Sequence, residues 1–271
     1  MRPRWCGGPR IRRAPEGRGR DLARGGVALQ LYTLREDLSK DFRGTLQKVA
    51  AMGYPAVEFA GYGGLGPDEI KALCTELGLK VAGTHTGIEA LQTDLAKVVA
   101  LHRTVGSTHV TVPSIPGARY SRDAAGFTQA AKDLEALAVR LAGEGLTLAY
   151  HNHDFEFFPT DGGYGLDLLY AQAPHLHAEL DVYWAAKGGV DPAAYIRKLG
   201  SRCSLLHVKD RSESGAFAPV GAGNLDFQSI LAAGDAVGTE WFIVEQDRCV
   251  EQTALESVRI SLENLRKWGR L

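Results

Sequence analysis

A chain of 271 residues is long enough for one large α/β barrel or two ordinary domains, with a sizeable core either way. Its 45% hydrophobic and 23% charged residues are ordinary for a globular protein, and a formal net charge of −1 supplies no global field for a polyanion, which counts against nucleic acid. The cysteines Cys6, Cys74, Cys203 and Cys249 are far apart with no CxxC pair, so reduced thiols in a cytoplasm are the default, and no apolar run reaches the roughly 18–20 residues of a membrane span.

The first 25 residues stand apart. Arg2, Arg4, Arg10, Arg12, Arg13, Arg18, Arg20 and Arg24 sit among Gly and Pro without apolar periodicity, and the apolar core of a secretory signal is missing. We read residues 1–25 as a basic, disordered leader and 26–271 as the folded domain.

From Val27 onward, short apolar runs alternate with helical patterns. Val27 to Tyr32 reads as the first strand. A helix follows through Phe42, Leu46 and Val49, with Gly53 as its C-terminal cap. Ala56 to Phe59 is the second strand; Pro67 opens a helix carrying Ile70, Leu73 and Leu77, which Gly78 stops. Lys80 to Gly83 is the third strand, ending in Thr84-His85-Thr86, and the next helix carries Leu91, Leu95, Val98 and Leu101. Thr108 to Val112 is the fourth strand; the helix after it, through Phe127, Leu134 and Leu141, keeps the 3.6-residue period most clearly. Leu146 to Tyr150, Leu176 to Val182, Arg202 to Val208 and Trp241 to Val244 complete eight strands, each with a following helix. Strict alternation over roughly 250 residues predicts a single-domain (β/α)8 TIM barrel. A doubly wound sheet competes poorly, because the first βα turn, Thr33-Leu-Arg-Glu36, has no Gly-rich phosphate fingerprint.

Barrel sites lie at the C-terminal ends of the strands. Those ends supply Gln30 and Tyr32, Glu58, His85, Ser114, His151 and His153, Asp181 with Trp184, His207 and Lys209, and Glu245 with Asp247. Buried without partners, such groups would cost several kcal/mol. One divalent metal at Asp181, His207, Glu245 and His151 would satisfy four at once; two carboxylates with imidazoles suit Mn²⁺, Co²⁺, Fe²⁺ or Zn²⁺ better than Ca²⁺.

Several stretches carry a family resemblance: Gln30-Leu-Tyr-Thr-Leu34, Leu180-Asp-Val-Tyr-Trp184, Leu206-His-Val-Lys-Asp210, Phe242-Ile-Val-Glu245 and Gly221-Ala-Gly-Asn-Leu-Asp-Phe227. On these, Val27 to Leu271 resembles the xylose-isomerase-like sugar phosphate isomerase/epimerase superfamily of TIM barrels. That superfamily includes inosose dehydratase, ketose 3-epimerases, hydroxypyruvate isomerase and, more distantly, endonuclease IV. The resemblance implies a metal held by residues from strands five to eight. Asp181, His207 and Glu245 match the last three, and His151 stands where a Glu is usual. The stretch Tyr150-His-Asn-His-Asp-Phe-Glu-Phe157 resembles a subgroup signature, with His153 at the substrate-facing position. With His151 there, the site lacks one negative charge of the family norm; Glu156 would replace it if the chain folded back.

The function this implies is a divalent-metal-dependent sugar isomerase or epimerase. It would act on a keto-sugar or keto-polyol through an enediolate stabilised by the metal, Mn²⁺ first, with Co²⁺, Fe²⁺, Mg²⁺ or Zn²⁺ as alternatives. Glu245 and His151 are the expected acid/base groups, with Lys209 placing positive charge where negative charge develops. Expected substrate contacts are His153, His85, Glu58, Trp184 and Tyr32. Elimination by a lyase or dehydratase of the inosose or keto-glycoside type is the alternative on the same site. A Schiff-base aldolase using Lys209, a nuclease and a non-catalytic sugar-binding barrel compete less well. The expected partner is a small carbohydrate, with no nucleic acid or membrane partner and with homodimerisation left open; His102, His109, His175 and His177 read as structural.

Overall fold

A computed structural model describes residues 25–271; the Arg-rich leader lies outside the described residues except for Gly25. The fold is a closed barrel of eight parallel strands: β1 Gly26–Gln30, β2 Ala56–Phe59, β3 Lys80–His85, β4 His109–Val112, β5 Thr147–His151, β6 His177–Asp181, β7 Leu205–Val208 and β8 Trp241–Val244. Each strand pairs with its neighbours in sequence, and β1 closes the barrel on β8 with Gly26 opposite Trp241 and Leu29 opposite Val244. The (β/α)8 architecture predicted from alternation is therefore the architecture observed.

The helices around it are α1 Arg35–Lys40, α2 Phe42–Met52, α3 Pro67–Leu77, α4 Ile88–Thr93, α5 Leu95–Val105, α6 Ala124–Gly143, α7 Gly165–Gln172, α8 Val182–Lys187, α9 Pro192–Leu199, α10 Phe227–Val237 and α11 Ala254–Lys267. Gly53 and Gly78 end α2 and α3 at φ 95° and 68°, a region glycine enters without a Cβ clash. Two departures from the sequence pattern share one cause, an aspartate used as a cap. The single helix expected through Leu91 and Leu101 breaks at Asp94, whose carboxylate accepts the Lys97 amide at 3.1 Å and starts α5. The extra helix α8 begins because Asp181 accepts the Trp184 amide at 3.0 Å. A third departure is at β1, which ends at Gln30 and not Tyr32. The Gln30 side chain accepts the Tyr32 amide at 3.0 Å and turns the chain into a 3₁₀ turn, Leu31–Leu34. Among the described residues no helix is long and apolar enough to cross a membrane.

Two separate apolar clusters hold the fold. The larger one fills the space between strands and helices. The smaller one is the barrel lumen: Ala28, Ala56, Ala82, Ala149, Leu205 and Ile243. Side chains two apart on a strand share a face. Gln30, Glu58, His151, His207 and Glu245 each follow a lumen residue by two positions, on Ala28, Ala56, Ala149, Leu205 and Ile243 respectively. The pleat thus places the polar groups as a layer on an apolar floor, and the alanines of that floor leave the room they need. The third strand departs from simple alternation. Its pairing with β2 shifts between Val57 and Glu58; Thr84 bonds His102 of α5 at 2.7 Å, while His85 lies against the lumen carboxylates.

Candidate active site

At the C-terminal end of the barrel the structure brings His151, Asp181, His207 and Glu245 together, with one possible ligand atom from each within 4.8 Å of the others. All four are buried. His151 Nδ1 lies 3.1 Å from the Pro113 carbonyl, which can only accept, so Nδ1 carries the hydrogen. The ring is thereby oriented with Nε2 toward Asp181 Oδ2 at 3.3 Å. Burial pulls the His151 pKa down, but the Asp181 hydrogen bond and nearby carboxylates win, and the net shift is upward. Asp181 is itself fixed by the Asn152 side chain, which accepts its backbone N–H at 3.0 Å.

Lys209 stands among the same carboxylates. Its ammonium is fully buried, with Nζ 2.9 Å from Asp181 Oδ2, 2.8 Å from Glu245 Oε2 and 2.6 Å from Asp247 Oδ2. Three donors meet three carboxylates. Burial opposes its charge, but the three carboxylates raise its pKa overall. In turn Lys209, with the imidazoles, outweighs burial at Asp181 and holds that carboxyl at about 2; Glu245 is held well below the usual carboxylate range for the same reason.

His207 joins this group to a deeper one. Its Nδ1 lies 2.9 Å from Glu245 Oε2, and its Nε2 lies 2.9 Å from Glu58 Oε2 and 3.3 Å from Glu179 Oε2. The deeper group, Glu58, His85, Glu179 and His207, also brings its ligand atoms within 4.8 Å. Glu58, expected at the substrate, lies here fully buried and accepts from Gln30 Nε2 at 2.7 Å; burial first and then the Glu179 charge raise its pKa. His85, also expected at the substrate, lies 2.8 Å from Glu179 Oε2, and burial pulls its pKa to about 4. Glu179 did not emerge from the strand-end reading, because it lies two residues before the end of β6. The signal was present in His177-Ala-Glu-Leu-Asp181, where a carboxylate at the middle inward position interrupts an apolar strand.

The remaining expected residues separate. The His153 and Trp184 rings meet at 5.3 Å, and Trp184 also meets Phe217 at 5.7 Å and the Lys209 ammonium at 5.5 Å. These rings form an aromatic wall beside the charged cluster; Phe217, on the short hairpin after β7, was not anticipated. Burial first, then the His151 and Lys209 charges, push the His153 pKa down to about 3, so its ring is neutral. Tyr32 is 42% exposed and stacks on the Arg35 guanidinium at 4.4 Å, so the 3₁₀ turn carries it to the rim, away from the cluster. Glu156 does come back toward β5, but its oxygens accept the Tyr150 hydroxyl at 2.7 Å and the His153 amide at 2.8 Å. It holds the loop and does not enter the ligand group. A cleft of about 930 Å³, lined by His85, Thr86, Tyr62, Leu65 and Lys97 among others, opens beside the deeper group.

The donor set fits a divalent ion. Two imidazoles and two carboxylates suit a first-row metal, and the Pro113 carbonyl sets His151 with Nε2 toward the other donors. Five buried or half-buried carboxylates, Glu58, Glu179, Asp181, Glu245 and Asp247, share the Lys209 ammonium and the imidazoles of His85, His151 and His207 as their ion-pair partners among the described residues. A cation is the chemistry such a surplus calls for.

Residues 46–268 match the family model of the xylose isomerase-like TIM barrel. The chain belongs to that family. It is similar in fold to a sugar phosphate isomerase/epimerase from Parabacteroides distasonis ATCC 8503 (TM-score 0.79, 22% identity, 90% of this chain and 96% of that one). It is also similar to the probable 3-DHS dehydratase of petrobactin synthesis from Bacillus anthracis (0.70, 13%, 89% and 98%). A third similar fold is 3-keto-D-glucoside 4-epimerase from E. coli (0.67, 17%, 90% and 99%). A comparison with curated proteins gives no match.

Proposed function

We propose that this member of the xylose isomerase-like family is a divalent-metal-dependent isomerase or epimerase of a keto-sugar or keto-polyol. The observation that carries the reading is the convergence of His151, Asp181, His207 and Glu245, from four successive strand ends, on one small volume. These residues would hold the ion, Mn²⁺ by preference, which when bound supplies Lewis-acid polarisation of the substrate carbonyl. The names of two structural relatives, an isomerase/epimerase and a 3-keto-glucoside epimerase, are consistent with proton transfer beside a carbonyl.

The chain's own groups divide the remaining work. Glu245 Oε2 takes the bonds from His207 and Lys209, which leaves Oε1 as the oxygen that accepts the substrate proton. Lys209 and His207 hold that carboxylate in place, and Lys209 keeps positive charge near the oxygen where negative charge develops. Neutral His153 presents a hydrogen-bonding ring beside the apolar wall of Trp184, and the two orient the sugar. In epimerisation a proton returns to the opposite face of the same carbon, which takes a donor across the enediolate from Glu245, and in isomerisation it returns to the neighbouring carbon. Elimination is the second reading, favoured by the fold shared with a dehydratase; it requires only a leaving group β to the carbanion.

Two measurements test this. Metal analysis of the purified protein should find a divalent ion, and chelation should abolish turnover that Mn²⁺ restores. Glu245→Gln should keep the fold and lose turnover at least a hundredfold, in the range general bases supply. Full activity in that variant refutes the assignment of the base.

A further inference from the structure

The polar layer of the barrel holds two ligand groups that share His207, and the family pattern of strand-end ligands accounts for only the upper one. We propose that, in the substrate-free chain, a divalent cation binds at the deeper group, Glu58, His85, Glu179 and His207. The inference goes beyond the sugar chemistry and does not depend on it.

The four donor atoms alternate oxygen and nitrogen around a closed ring. Glu58 Oε2 to His207 Nε2 is 2.9 Å, His207 Nε2 to Glu179 Oε2 is 3.3 Å, Glu179 Oε2 to His85 Nε2 is 2.8 Å, and His85 Nε2 to Glu58 Oε2 is 3.5 Å. An ion with metal–ligand bonds of about 2.0–2.2 Å sets adjacent donors about 2.8–3.6 Å apart, from right-angled to tetrahedral geometry. All four edges fall in that interval.

Glu58 and Glu179 have only imidazoles as ion-pair partners among the described residues, and both side chains are fully buried. The upper carboxylates differ: Lys209 already bridges Asp181 Oδ2 and Glu245 Oε2, so an ion there must compete with an ammonium within 3 Å of the same oxygens. No ammonium stands against the deeper group; its carboxylates face only the His85 and His207 rings.

The carboxylates are also held from outside. Gln30 Nε2 donates to Glu58 Oε2 at 2.7 Å, and Thr111 Oγ1 donates to Glu179 Oε1 at 3.2 Å, so each ligand is oriented from outside the ring. Glu58 Oε1 is buried with no hydrogen-bond partner among the described residues. An acceptor left over in this way is what a carboxylate needs to bind an ion through both oxygens. The His85 and His207 rings lie nearly parallel, 12° apart with centroids 5.4 Å apart. His207 offers Nε2 here and Nδ1 to the upper group, and a neutral imidazole has one lone pair, so it serves one ion at a time.

The test uses substrate-free protein and Mn²⁺ alone. Titration by calorimetry, with the EPR signal of free Mn²⁺ as a second readout, should show Glu179→Gln weakening binding at least tenfold and Asp181→Asn weakening it less than threefold. The reverse order overturns the proposal, as does a wild-type chain that binds no Mn²⁺. Circular dichroism monitors folding of both variants. Should Glu179→Gln not fold, anomalous diffraction from Mn²⁺-soaked wild-type crystals decides: a peak within about 2.0–2.3 Å of Glu58 and Glu179 oxygens supports the site, and a peak confined to Asp181 and Glu245 overturns it. Neither readout involves turnover, so failure of the sugar reading and failure of this site are distinguishable.

Discussion

Replacing Lys209 by methionine keeps most of the side-chain volume and removes one positive charge. The ammonium is fully buried and is the fixed cation between Asp181, Glu245 and Asp247, at 2.9, 2.8 and 2.6 Å. Asp181 and Glu245 are ionised at neutral pH because Lys209 and the imidazoles outweigh their burial. Removing one partner of a buried ion pair costs about 3–5 kcal/mol, because the other charge stays behind. At about 2–4 °C per kcal/mol for a large domain, the metal-free variant should melt roughly 6–20 °C below the wild type. A divalent ion supplies charge to the same oxygens, so Mn²⁺ should raise the variant's Tm more than the wild type's. Differential scanning calorimetry of both proteins, with chelator and with Mn²⁺, measures both effects. A metal-free loss below 1 kcal/mol would show that Lys209 does not compensate these carboxylates.

His102 is buried against Thr84, and burial lowers its pKa to about 4 from 6.5. The unfolded chain therefore takes up the proton first, and stability present above pH 6.5 is lost as pH falls toward 4, by up to about 3 kcal/mol at roughly 1.4 kcal/mol per unit. The urea midpoint should fall further between pH 7 and 4.5 for wild type than for His102→Gln; equal pH dependence contradicts the assignment. A Cβ on Gly83 would stand 2.8 Å from Glu58 Oε1, so Gly83→Ala should displace that carboxylate and weaken Mn²⁺ binding, read by titration, with an unchanged affinity speaking against it. Trp184→Ala removes the ring that meets His153, and should raise KM about tenfold while kcat stays within threefold. An equal fall in kcat with KM unchanged would mean that the ring acts in the chemical step.

The barrel was legible because a parallel strand buried on both faces appears as an unbroken apolar run. Ala56–Phe59 and Trp241–Val244 match the reading residue for residue. The helix through Leu91 and Leu101 was overextended because the apolar period continues across Asp94, whose role as a cap is visible only in the backbone it turns. Strand-end residues were legible for a topological reason, since each strand of a parallel barrel delivers its last inward residue to one rim. Within the deeper group Glu179 was not, because that rule samples a single layer. Glu179 lies one pleat further in, and its partners Glu58, His85 and His207 come from strands far away in sequence. Tyr32 was misplaced because alternation was carried past Gln30, whose side chain ends the strand.

Solvent exchange tests the central claim most directly. Mn²⁺-loaded protein in D₂O, followed by ¹H NMR against a panel of ketoses and inososes, should incorporate deuterium at a carbon beside the carbonyl of at least one of them, and Glu245→Gln should abolish that incorporation. A folded, metal-bound chain that exchanges no proton on any ketose or inosose would contradict the account.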